Sequence, residues 1–120
     1  MNIHTAVLAA LLAGASARHA SSFEEAQSIF DHQANDDATK AYAKAWADYN
    51  NAHRLDEKGN CYAKAGGSLV LILEIDEHGK VVGTYSDKTN PGSRCWRSNY
   101  LGVTFPPPPF APYFHRMQMN

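Results

Sequence analysis

Two cysteines, six histidines and the adjacent acids Asp56-Glu57 and Asp76-Glu77 are the side chains to weigh first for chemistry. Cys61 and Cys95 have no CxxC partner and no histidine close in sequence, which disfavours half of a zinc site and leaves a disulfide or two free thiols. The histidines, at 4, 19, 32, 53, 78 and 115, fall into no HExxH or comparable spacing. His32 and Asp36 are four apart and could reach one ion, but two weak ligands at a helix break are more often solvated. Asp56-Glu57 and Asp76-Glu77 are neighbours whose side chains diverge in a helix or strand, so neither pair forms an acid/base couple unaided. No G-x-S-x-G, glycine-rich phosphate loop or Cys/His/Asn pattern is present. The expectation is a binding module with no catalytic, cofactor or metal residues, not an enzyme.

The amino terminus bears on the choice between disulfide and thiols. Ala6 to Ala13 is an uncharged apolar run, and Ala15-Ser16-Ala17 offers small residues where a signal peptidase reads, so residues 1–17 look like a secretory leader although they carry no Lys or Arg. A retained anchor would need about 20 apolar residues. Cleavage would leave a periplasmic or secreted chain with no stable membrane insertion. In that compartment an even cysteine count reads as one bridge, Cys61 to Cys95. Closing that loop is worth roughly 4 kcal/mol by the chain-entropy estimate. A formal net charge of -1 makes no case for nucleic acid. The charge is uneven: residues 18–60 carry net -3, while residues 91–120 carry Arg94, Arg97 and Arg116 and no acid. The plain reading is that these two segments dock on each other; the functional one is an arginine-bearing face for an acidic partner.

The elements that must position these groups follow from periodicity. Ser68 to Tyr85 reads as a β-hairpin, with Leu69, Leu71, Leu73 and Ile75 on one face and Val70 and Ile72, then Glu74 and Asp76, on the other. The second face therefore reads as half-wet towards its end. Ser22 with Glu25 fits a capping box ahead of a helix from about Phe23 to Gln33. A second helix starts at Asp36 or Asp37 and runs to about Arg54, with Ala38, Tyr42, Ala45, Trp46, Tyr49 and His53 on one stripe to cover the sheet. Cys61 to Ala65 can form one more turn. Asn90-Pro91-Gly92 reads as a loop tip, Ser93 as the cap of a short helix from Arg94, and Val103 to Pro112, with four consecutive prolines, as a stiff connector. Tyr113 to Met119 alternates and reads as a third strand. The expected fold class is α+β: residues 18–60 form an N-terminal helical segment packed, as one domain, with a disulfide-closed ββαβ unit and a small antiparallel sheet over residues 61–120.

The order of strand, Asp76-x-x-Gly79-x-Val81 turn, second strand, short helix, Phe105-Pro106-Pro107-Pro108 and final strand resembles the C-terminal domain of TonB-like proteins. The resemblance covers about residues 61–119. It places Cys61 and Cys95 where some relatives carry cysteines, and the expectation is of the docking domain without the membrane helix and long spacer of an energy transducer. It implies capture of an envelope protein or peptide as an added strand, with Phe114, His115, Arg116 and Met117 near the receiving edge. The alternative is a secreted inhibitor or immunity-type protein that blocks an envelope enzyme with Ser86 to Ser93 or the proline-stiffened Phe105 to Pro112 as its wedge.

Overall fold

A computed structural model describes residues 19–120; the leader read over residues 1–17 lies outside them. The architecture is the expected α+β arrangement. Helices α1 (Phe23–Gln33) and α2 (Asp37–His53) are followed by a 3-10 stretch (Leu55–Asn60) and a single turn α3 (Cys61–Lys64). Strands β1 (Leu69–Ile75) and β2 (Val81–Ser86), helix α4 (Pro91–Tyr100) and strand β3 (Tyr113–Met119) complete it. The sheet order is β2-β1-β3, antiparallel throughout, so the most apolar strand is central.

Local chemistry explains where the helices begin. Ser22 Oγ accepts from Glu25 N at 3.1 Å, and the Glu25 carboxylate answers by accepting from Ser21 N at 2.7 Å. Asp36 caps α2 through Ala38 N at 2.7 Å. Helix α4 starts three residues before the expected Arg94. Asn90 is the cap, its Oδ1 accepting from Ser93 N at 2.8 Å, and Pro91 fills the first helical position, where a missing N–H costs nothing. Ser93 is buried and donates its hydroxyl to Lys88 O at 2.9 Å. Asn90→Ala is therefore expected to cost about 1 kcal/mol, seen as a lowered midpoint in thermal unfolding with the native spectrum unchanged.

All seven residues of β1 are buried, because both faces of the sheet are covered. Leu69, Leu71, Leu73 and Ile75 pack with Tyr42, Trp46, Trp96, Tyr100, Phe105 and Tyr113 from α2, α4, the proline segment and β3. Val70 and Ile72 pack with Phe114 and Ala26, with Phe23, Ile29, Phe30 and Tyr85 around them. Helix α1 thus covers the face expected to be half-wet, and Glu74 is only 1% exposed. The α2 stripe is narrower than expected: Thr39, Tyr42, Trp46 and Asn50 are buried, whereas Ala38, Ala45 and His53 face solvent. Phe105 makes the proline segment more than a connector. It is 2% exposed and lies 4.8 Å, centroid to centroid, from Trp46 in a stacked pair.

Cys61 and Cys95 form the expected disulfide, with Cα atoms 5.4 Å apart. The hairpin turn is held by Asp76, whose Oδ1 accepts from His78 N and Lys80 N, both at 2.9 Å. Gly79 has φ +92, and its carbonyl accepts from Phe105 N at 2.8 Å. The turn is thereby tied to the start of the proline segment.

Candidate functional site

Strand β3 pairs with β1 from Tyr113↔Ile75 to Met119↔Leu69 and forms one edge of the sheet. The direction of its main-chain groups follows from Phe114, whose N–H donates to Gln33 Oε1 at 3.3 Å and whose carbonyl accepts from Gln33 Nε2 at 2.5 Å. Phe114 therefore points its backbone away from β1. By the alternation of an antiparallel ladder, Arg116 and Gln118 do the same, whereas His115, Met117 and Met119 bond inward to β1. The other side of β1 agrees. Val70, opposite Gln118, turns its N–H and carbonyl to Asp87, at 2.8 and 3.3 Å.

The four residues named from sequence separate accordingly. Phe114 is fully buried against α1 and offers no side chain to a partner. Its outward main chain is already satisfied by the Gln33 amide, which occupies the place of a neighbouring strand for one residue. His115 is partly accessible as a whole residue, but its ring stacks on Trp46 at 3.8 Å and its main chain faces inward. Arg116 combines an outward main chain with a side chain anchored to Gln27 Oε1 at 3.1 Å. Met117 is half-buried on the α2 side of the strand. Gln118, not singled out from sequence, is exposed and also turns its main chain outward. The signal that could have found it is the two-residue period itself.

The opposite edge is more occupied. Val81 N donates to Val103 O at 2.8 Å, Gly102 N donates to Val81 O at 2.9 Å, and Arg97 Nε reaches Thr84 Oγ1 at 3.4 Å. Arg116 meets Gln27 and Arg97 meets Thr84, so among the described residues no ion pair joins the acidic N-terminal segment to the C-terminal arginines. Helix α1 does pack against β3, through the Ala26 and Phe114 cluster and the Gln33–Phe114 and Gln27–Arg116 hydrogen bonds, not through ion pairs.

Burial on the α2 side pushes the His115 imidazole down to about 3, so the folded chain holds it neutral. An unfolded histidine titrates near 6.5. The unfolded state thus binds the extra proton between these values, and stability falls as pH drops below about 6.5 until the folded pKa is reached, with a slope of up to about 1.4 kcal/mol per pH unit from this residue. His115→Phe is expected to flatten that part of the curve, measured by urea unfolding between pH 7 and 4. The tyrosines are shifted upward by burial: Tyr113 to about 12, and Tyr42 and Tyr100 further. They serve as hydroxyl donors, Tyr42 to Pro106 O and Tyr100 to Asn50 Oδ1, each at 2.6 Å.

Glu74 lies at the base of a cleft of about 300 Å³ bordered by His19, Asp76, Glu77 and Pro112. Its carboxylate takes His19 Nδ1 at 2.5 Å, Ala20 N at 3.2 Å and the Tyr85 hydroxyl at 2.8 Å. It is a fully engaged anchor for the segment entering α1. Among the described residues, no cluster of three or more His, Cys, Asp or Glu side chains is placed to hold a metal ion. His32 bonds Ser28 O at 2.7 Å, and Asp36 is spent on its cap. No helix among the described residues is long and apolar enough to cross a membrane.

Compared with family models, curated proteins and solved structures, the chain matches none.

Proposed function

We propose that this protein is an exported interaction module of the cell envelope that receives an extended peptide along the outer edge of β3. The observation that carries this reading is the pair of outward main-chain groups at Arg116 and Gln118, which have no hydrogen-bond partner among the described residues beyond the point where Gln33 closes the ladder. The partner's pattern follows from the strand. On the α2 side it meets the half-buried Met117 and the accessible part of His115, which suits an apolar residue. On the α1 side it meets the Arg116 guanidinium, which suits an acid at alternate positions. The fitting ligand is a short segment alternating apolar and acidic residues. The TonB-like resemblance supports strand addition as the mode, and the disulfide and leader-like start support an oxidising, exported setting.

The edge makes the test specific. Gln118→Pro removes an outward donor without touching the β1 ladder, and is expected to weaken capture of an alternating apolar/acidic peptide at least ten-fold in fluorescence anisotropy. Gln33→Ala frees the Phe114 main chain for one more pair and is expected to tighten it several-fold. Equal affinity across wild type and both variants would eliminate the edge as the docking surface.

A further inference from the structure

The two sulfurs of the disulfide sit in unequal surroundings. Cys61 is fully buried. Cys95 is partly accessible and lines an open surface cleft of about 570 Å³ with Lys64, Arg94, Ser98 and Asn99, a wall that holds two cations and no acid. Asn99 adds a second asymmetry. Its Nδ2 donates to Lys58 O at 2.6 Å, which fixes the amide, and turns towards Cys61 Sγ at 3.2 Å. A polar donor therefore faces the buried sulfur, and two cations line the cleft onto which the other cysteine opens.

We propose that this bridge is a site of thiol–disulfide exchange with small anionic thiols, entered only through Cys95. A thiolate attacks Cys95 Sγ and forms a new S–S bond there. The Cys61–Cys95 bond breaks, and its electron pair leaves on Cys61 Sγ. Asn99 donates a hydrogen bond to that developing thiolate; once protonated, the Cys61 thiol has the Lys58 carbonyl 3.3 Å away as an acceptor. A second thiolate then attacks the external sulfur of the mixed disulfide, releasing the oxidised thiol dimer and leaving Cys95 as a thiolate. Over both steps two thiols are oxidised to one disulfide and the protein bridge is reduced to two thiols. Lys64 and Arg94 raise the local concentration of an anionic thiol and lower the charge repulsion of its approach.

The decisive measurement uses the unmodified folded protein. The rate of bridge reduction is followed by acid quench and alkylation with 2-mercaptoethanesulfonate, 2-mercaptoethanol and cysteamine, compared per thiolate at low salt. The rate is expected to rise linearly with thiol concentration and to be roughly five-fold faster for the anionic thiol than for the cationic one, the gap closing in high salt. Lys64→Gln/Arg94→Gln is expected to erase the preference while leaving the fold intact. Regiochemistry is read in the single-cysteine variants: with oxidised glutathione, Cys61→Ser should form an adduct at Cys95, and Cys95→Ser should leave Cys61 unmodified while circular dichroism shows a native fold. A reduction rate that saturates with thiol concentration, one that ignores thiol charge, or an adduct on Cys61 in the folded protein would each overturn the proposal. The rate experiment stands even where a variant fails to fold.

Discussion

Gly79→Ala is expected to lower the unfolding free energy by roughly 3 kcal/mol, the joint effect of a left-handed backbone and an occupied space. At φ +92 an alanine is strained wherever it sits, and here its Cβ would also overlap the Phe105 carbonyl oxygen. Relief requires the turn to move away from residues 103–106, which lengthens the Phe105 N to Gly79 O bond of 2.8 Å and draws Phe105 out of its stack with Trp46. Urea unfolding at neutral pH measures this. A loss below about 1 kcal/mol would mean that the proline segment is not seated on the hairpin as found, because backbone strain alone accounts for that much. Gly67 provides the control: it too has positive φ, at +131, but nothing lies near its Cβ position, so alanine there reports strain without overlap.

Removing the bridge with Cys61→Ser/Cys95→Ser is expected to cost about 4 kcal/mol, since the closed loop holds the whole hairpin. For a domain of this size that corresponds to a fall in midpoint of roughly 15–30 °C. Set against the roughly 5–15 kcal/mol typical of a folded domain, that loss is between about a quarter and most of the total. The unfolded chain, no longer cross-linked, should also expand, so the urea m-value should rise. Equal midpoints and equal m-values for the two forms would show that the bridge contributes nothing to stability. Buried Cys61 makes the serine pair a demanding replacement, and the reduced wild type provides the same comparison without substitution.

The elements were largely legible because each carries its own local signal. Ser22, Glu25 and Asp36 mark two helix starts, the period-two run from Leu69 marks the central strand, and Asp76 with Gly79 marks its turn. The errors came where a local signal had two meanings. Asn90-Pro91-Gly92 is as good a helix start as a loop tip, and only the Ser93 N–H reaching Asn90 Oδ1 at 2.8 Å decides between them. Glu74 reads as wet in the sequence because a carboxylate usually is. Its burial depends on His19, Ala20 and Tyr85, partners 55, 54 and 11 positions away, and no window on the sequence contains them. The same limit hid the role of α1, whose Phe23, Ile29 and Phe30 stripe announces a buried face without saying which surface it meets. At the edge, alternation identified β3. The orientation of its free groups became readable only through the Gln33 amide, 81 positions from Phe114.

The disulfide also sorts the strands by how they are tethered. β1 and β2 lie inside the covalent loop from Cys61 to Cys95, whereas β3 lies outside it and is joined to α4 through the proline run. Release of β3 therefore needs only its ladder with β1 and its packing against α1 and α2 to give way, while the hairpin stays closed by the bridge. β3 is thus the strand that the bridge leaves untethered, and in amide hydrogen exchange its amides should open at lower cost than those shared between β1 and β2. Two copies that opened in this way could trade their last strands across the proline hinge and re-form each sheet with a borrowed edge.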